Sequence, residues 1–214
     1  MDKKVLRNLS YGVYVVTSKD KDKKVGCVAN SIMQVTSNPS VIAVSINHDN
    51  YTNKVIKETS KFGVSILKET TDTKIIGSFG FKSSKDTDKF DGINFKEISE
   101  IPVLENTCGY MVCKVIDTME TSTHTIFLGE VIEADDYSTE NAMTYKYYHE
   151  NLKGSSPKNA PTYEETIIQV DKDSRKRKWK CSVCGYIHEA DELPDDFKCP
   201  ICGVGKEYFE LIED

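Results

Sequence analysis

From Tyr11 to Ala134, short runs of β-branched and aromatic residues alternate with polar turns, and only two stretches follow a helical period. Strands are predicted at Tyr11–Thr17, Val41–Ile46, Phe62–Ile66, Gly109–Thr118 and Thr123–Ala134, where such residues fit a pleated, half-buried surface. Asn50 and Thr52 are suited to cap a helix through Asn53–Ser60, with Val55 and Ile56 facing inward. A second helix is predicted over Asp72–Ser78, stopping at the glycine-containing turn Gly77-Ser78-Phe79-Gly80. The regular strand–helix alternation of a doubly wound sheet is missing. The expected class is mainly β, an antiparallel barrel with helical excursions.

The pattern changes after residue 150. Residues 151–161, NLKGSSPKNAP, are dense in turn formers, and the later run DKDSRKRK has no apolar face. It reads as a solvated linker. The division expected is a large domain over 1–163, including a C-terminal extension, a charged linker over 164–178, and a small domain over 179–214. The formal charge of -6 and pI near 5.4 speak against a nucleic-acid partner, whose phosphates call for basic residues. No stretch approaches the roughly 20 apolar residues of a membrane span, and MDKKVLRNLS lacks the apolar core of a signal peptide. A cytoplasmic location is expected, where thiols stay reduced, so the seven cysteines read as metal ligands or free thiols.

Their placement separates the two uses. Cys27, Cys108 and Cys113 are scattered, and Cys27 reads as a small packing residue; Cys181, Cys184, Cys199 and Cys202 form two C-x2-C pairs separated by 14 residues. Two such pairs can present four sulfurs to one ion in a closed tetrahedral site, whose metal would supply much of the folding free energy of so small a unit. Spacing alone leaves zinc and iron both open. The surrounding residues, Trp179-Lys180-Cys181-Ser182-Val183-Cys184-Gly185-Tyr186, Leu193-Pro194-Asp195-Asp196-Phe197-Lys198-Cys199-Pro200-Ile201-Cys202-Gly203-Val204, Lys206 and Phe209, resemble the rubredoxin family. The loop between the pairs is short, as in the rubredoxin portion of fused proteins such as rubrerythrins. This resemblance implies one iron ion held by the four cysteines. From Cys181 to Asp214 nine carboxylates oppose Lys198 and Lys206, a balance that serves solubility or a docking face for a basic partner.

A one-electron centre needs a donor, and the larger domain offers no G-x-G-x-x-G after a strand and no Walker motif. Residues 1 to about 150 resemble the flavin reductase family at Gly26-Cys27-Val28-Ala29-Asn30-Ser31, Val35-Thr36-Ser37-Asn38-Pro39, Val44-Ser45-Ile46-Asn47, Asn50-Tyr51-Thr52, Phe62-Gly63-Val64-Ser65-Ile66-Leu67, Phe79-Gly80-Phe81, Asp88-Lys89-Phe90 and His124-Thr125-Ile126-Phe127-Leu128-Gly129-Glu130-Val131. The resemblance implies an FMN-binding split β-barrel, usually a homodimer. It assigns flavin contacts to Asn30, Ser31, Ile32, Ser45, Asn47, Asn50, Thr52, Phe79, Phe81, Ser83, Ser84, Lys85 and Lys89, and a place beside flavin and nicotinamide to His124.

The chemistry of several positions agrees. Asn30 and Ser31 suit the polar edge of the ring or the ribityl chain; turn and cap roles are equally open to them. Asn50 and Thr52 at a helix start offer N–H groups and a hydroxyl to a phosphate, and Ser83, Ser84 and Lys85 add donors and a positive charge. Phe79 and Phe81 are candidates to cover the ring face or to pack in the core. The tail from Met143 to Tyr163 is expected over the barrel or across a dimer partner. Together the resemblances imply an oxidoreductase passing electrons from NAD(P)H through FMN to the iron and on to a protein such as a flavodiiron oxygen or nitric oxide reductase. A reductase that releases reduced flavin, and a carrier that does not oxidise NADH, are the alternatives.

Overall fold

The computed structural model describes residues 3–137, 139–152, 154, 160, 162 and 177–212. Most of the 164–178 linker therefore lies outside the described residues, and Lys178 already opens a strand of the small domain.

In chain order the larger domain contains β1 (Tyr14–Asp20), β2 (Lys23–Ala29), β3 (Ile32–Ser37), β4 (Ser40–Asn47), helix α1 (Tyr51–Thr59) and β5 (Lys61–Ile66). Helix α2 (Thr73–Phe81), β6 (Phe95–Ile98), β7 (Ile101–Leu104), β8 (Gly109–Glu120), β9 (His124–Asp136) and α3 (Tyr145–Glu150) follow. Seven strands form one antiparallel sheet in the order β2-β1-β5-β8-β9-β4-β3, and β6 pairs with β7 alone. Strands β2 and β3 lie at opposite edges of the sheet, yet only Asn30 and Ser31 connect them. Three residue steps reach about 11 Å at most, so the sheet must curl until its edges approach. The expected barrel forms in this way, split between β2 and β3.

Alternation along β1 supplies the two sides of the core. Val16 joins Val44, Phe62, Val64, Phe127 and Ile56 of α1 on one face. Val15 meets Leu67, Ile76 and Phe79 of α2, Leu104, Met143 and Tyr148 on the other. Both faces of β1 are covered, and for that reason Val15, Val16, Thr17 and Ser18 are buried in succession rather than alternately.

Helix α1 starts two residues before the expected position, because Asn50 Oδ1 accepts the Thr52 N–H at 3.2 Å and so caps the helix itself. Ser60 closes it in the left-handed region, its N–H bonded to the Ile56 carbonyl. Helix α2 departs more from expectation: it runs through Gly77 and Gly80 to Phe81 instead of breaking there. Burial of Ile76 and Phe79 against the barrel outweighs the roughly 1 kcal/mol that a helical glycine costs. Strands β2 and β3 were not among the predicted ones; lysines open β2, and β3 is exposed at every position after Ile32.

The small domain is a three-stranded sheet, β11 (Ile187–Glu189), β10 (Lys178–Cys181) and β12 (Phe209–Ile212), with β10 in the centre. Trp179, Tyr186, Phe197 and Phe209 pack around the cysteines, as the resemblance implied, and Phe197 meets Phe209 edge-on at 5.2 Å.

Phe62 is, with Phe79 and Phe127, among the largest fully buried side chains, and it belongs to the core that α1 covers. Phe62→Ala is expected to destabilise the chain by about 3–5 kcal/mol. Urea unfolding followed by circular dichroism measures it, and a loss below 1 kcal/mol, on the order of a surface change, would contradict the assignment.

Candidate functional site

The four-cysteine centre is built from two copies of one turn. In the first, the Gly185 N–H bonds to the Cys181 carbonyl and the Cys181 N–H to the Tyr186 carbonyl, each at 2.8 Å. The second repeats the pattern with Gly203 on Cys199 at 2.9 Å and Cys199 on Val204 at 2.8 Å. Gly185 and Gly203 have φ of 72° and 75°, a left-handed conformation that a side chain would disfavour. Their backbone freedom is what lets each turn aim two sulfurs at one point.

The Sγ atoms of Cys181, Cys184, Cys199 and Cys202 all lie within 4.8 Å of one another, with Cys181–Cys202 at 3.6 Å and Cys184–Cys199 at 3.4 Å. A tetrahedral ion with metal–sulfur bonds near 2.3 Å needs sulfurs about 3.8 Å apart, so the set fits one ion. The electrostatics of the cluster agree with this. As an anion, Cys181 accepts hydrogen bonds from its neighbours, which hold its own pKa down and push the Cys184 and Cys202 thiols up. Only a cation allows all four to be thiolates.

The candidate flavin residues gather around β2. Asn30 and Ser31 occupy the corner between β2 and β3, where Ser31 donates to Asn30 Oδ1 at 2.9 Å and the Ser31 carbonyl accepts the Ser45 N–H at 3.1 Å. Ile32 follows, paired with Val44. The N-terminus of α1 approaches the middle of β2, placing Asn50 and Thr52 beside Cys27. Thr52 Oγ1 is buried with no oxygen or nitrogen partner among the described residues. That hydroxyl lies against the Cys27 thiol, and with the N–H groups of the helix start it could donate to an anionic group such as the phosphate of a flavin nucleotide.

On the other side of β2, the segment after α2 is tied to Gly26. Ser84 Oγ donates to the Gly26 carbonyl and accepts its N–H, both at 3.1 Å, and Lys89 Nζ donates to the same carbonyl at 2.8 Å and to the Phe79 carbonyl at 3.1 Å. Ser84 and Lys89 are buried and committed to backbone, whereas Ser83 and Lys85 are exposed. Lys23 bridges the segment to α1, donating to the Lys85 carbonyl at 3.0 Å with its ammonium 5.0 Å from the centre of the Tyr51 ring.

The remaining candidates divide. Asn47 and His124 are cross-strand partners at the end of the β4–β9 ladder, and His124 Nδ1 lies 2.8 Å from Thr123 Oγ1. Phe79 is a core residue, edge-on to Phe90 at 5.1 Å, while Phe81 is half-buried between the barrel cluster and the small domain. Cys27 is buried, as its packing role requires, and burial pushes its thiol pKa up despite the nearby Lys89 ammonium.

Two residues of the tail meet the corner, one of the two placements expected for it. Asn30 Nδ2 donates to Thr162 Oγ1 at 2.8 Å, which donates in turn to the Tyr145 hydroxyl at 2.9 Å. The tail thus reaches over its own barrel, and the Tyr-rich run at 145–148 was the available signal.

An antiparallel split barrel with an anion-ready helix start, joined to a four-thiolate metal centre, defines a two-module redox protein. The chain belongs to the flavin reductase family: the flavin reductase like domain matches residues 6–156, and the rubrerythrin-type rubredoxin-like domain matches residues 179–210. The first domain binds flavin and the second one iron ion. The high molecular weight rubredoxin of Moorella thermoacetica is 39% identical over 99% of this chain and 100% of its own length. The NAD(P)H ferric-chelate reductase of Archaeoglobus fulgidus is 38% identical over 78% of this chain and 99% of its own. Among solved structures, the NADH:FAD oxidoreductase of Streptomyces globisporus superposes with a TM-score of 0.61 at 26% identity, covering 66% of this chain and 84% of that one.

Two outcomes are expected. Cys199→Ala should abolish stoichiometric iron and expose residues 178–212 to protease; one iron per chain retained on metal analysis would contradict the four-sulfur site. Burial lowers the Lys89 pKa to about 8, below the ordinary lysine value of 10.5. The unfolded chain therefore holds this proton more tightly, so stability should rise with pH between those values and the contribution should be lost below them. Urea unfolding of flavin-free protein across pH 8 to 10.5 should show a rise that Lys89→Met lacks; equal slopes would argue against it.

Proposed function

We propose that this oxidoreductase takes hydride from a reduced nicotinamide onto FMN in the barrel, and passes electrons singly to the iron and then to an external protein. The observation that carries the reading is the presence of the four-thiolate centre on the same chain as a flavin reductase domain, with Phe81 packed into both units. Bound flavin supplies the exchange between a two-electron donor and a one-electron acceptor. One nicotinamide oxidised accounts for two ferric centres reduced and one proton released.

The protein's part is binding and orientation. The α1 N-terminus, with Asn50 and Thr52, would neutralise the phosphate, helped by Ser83 and Lys85 across the Lys23 bridge. Asn30, Ser31, Ile32 and Ser45 line the corner where the polar edge of the ring would lie. Asn47 and His124 flank the barrel mouth on the side of α1, where a nicotinamide would approach. Ser84 and Lys89 hold the loop after α2 onto β2, and so act through its position.

The high molecular weight rubredoxin and the NAD(P)H ferric-chelate reductase among its relatives support electron passage out of the molecule and a nicotinamide donor. A flavodiiron-type oxygen or nitric oxide reductase in the cytoplasm is the acceptor class we favour, met through the acidic small domain. Exposed Met33 and Val35 on the edge strand β3, and Ile116 and Met119 on β8, support a homodimer through these apolar positions.

Stopped-flow mixing of the loaded protein with NADH tests the route. Flavin bleaching followed by iron bleaching in the same molecule is expected. Lack of flavin bleaching would remove the nicotinamide step, and reduced flavin recovered in an ultrafiltrate with the iron still ferric would favour the releasing reductase.

A further inference from the structure

Helix α2 is packed on two opposite sides. Ile76 and Phe79 turn toward the barrel, where Phe79 lies so close to β2 that a Cβ on Gly26 would come within 2.7 Å of its ring. Thr73, Gly77 and Phe81, four residues apart along the other stripe, all meet the small domain. Thr73 Oγ1 donates to the Pro200 carbonyl at 2.6 Å. A Cβ on Gly77 would overlap the Ile201 carbonyl oxygen and stand 3.1 Å from Cys202 Cα. Phe81 packs into the cluster formed by the cysteines, Ile201 and Phe209.

The segment they meet is the second metal-binding turn, Cys199-Pro200-Ile201-Cys202. Ile201, at the tip of that turn, is only 2% exposed. No turn or left-handed backbone accounts for Gly77, which sits mid-helix at a propensity cost of about 1 kcal/mol. The close approach of the metal turn does account for it, because any side chain there would force the two backbones apart. The next residues beyond α2, Ser83 to Lys89, are those fastened to β2 beside the candidate phosphate site.

We infer that the Thr73–Gly77–Phe81 stripe is an intramolecular seat for the Cys199–Cys202 turn, and that Gly77 is a positioning residue fixing the separation between the iron and the barrel. Its purpose rests on the proposed electron-transfer function; its existence does not. The seat makes the passage of an electron to ferric iron an event within one chain, over a path set by a helix shared between the two units.

Hydrogen exchange read by mass spectrometry on the full-length, iron-loaded protein tests the seat directly. Gly77→Glu is expected to raise exchange across 73–81 and 199–204. In stopped flow it should slow iron reduction severalfold, since a side chain at Gly77 pushes the metal turn off the helix and lengthens the electron path, while flavin reduction by NADH and the visible spectrum of the iron keep their wild-type form. Thr73→Val, which removes one hydrogen bond and keeps the helix, should shift exchange in the same direction by less, and it decides the matter if Gly77→Glu does not fold. Wild-type exchange at both segments in the folded variants would overturn the seat. A wild-type iron that NADH never reduces would instead sink the proposed function, and the exchange result would still decide the seat.

Discussion

The two-residue connection between β2 and β3 is the constraint on which the rest of the larger domain depends. Antiparallel pairing alone would permit an open sheet with β2 and β3 far apart. Because only Asn30 and Ser31 join them, the sheet is forced to close on itself, and the closure creates a corner of polar backbone and side chains that the ladder does not consume. Helix α1, leaving β4 next to this corner, then has its capped end directed at β2, and the tail residues Tyr145 and Thr162 fold onto Asn30. The same short link that shapes the barrel thus gathers the groups able to receive a nucleotide.

Cysteine spacing made the metal site legible before any coordinates, because four thiolates around one ion leave little freedom in how the chain can be arranged. Strands β4, β5, β8 and β9 were equally legible, since they are central and apolar. Strands β2 and β3 were not: they are the edges, and lysines and solvent-facing polar residues dilute their pattern. The extent of α2 was hidden for a different reason. Glycine in a helical pattern signals a break, and only the neighbouring domain reveals that Gly77 answers an external contact rather than a local turn. The aromatic pair Phe79 and Phe81 illustrates the same limit, for two residues apart on a helix they face different neighbours, Phe79 the barrel alone and Phe81 the barrel and the small domain together.

Charge and burial divide the candidate flavin residues in a way no motif could. Ser84 and Lys89 carry the right chemistry for a phosphate, yet their polar atoms are spent on Gly26 and Phe79 backbone. Thr52 has the weaker claim by type and the stronger one by environment, since its buried hydroxyl has no oxygen or nitrogen partner among the described residues and lies against the Cys27 thiol. Desolvation explains both outcomes. A buried ammonium must take whatever carbonyls surround it, whereas a buried hydroxyl held only by a weak thiol contact gains from meeting a stronger acceptor.

The two metal-binding turns share one hydrogen-bond pattern but have different surroundings. The Cys199–Cys202 turn is pressed against α2, while the Cys181–Cys184 turn carries Ser182 and Val183 into solvent, Val183 with 39% of its surface open. A pseudo-symmetric centre has thereby been made directional. In the electron route proposed above, a partner covering Val183 would reach the metal centre over a surface other than the one seated on α2, and loading and unloading would not compete for one face.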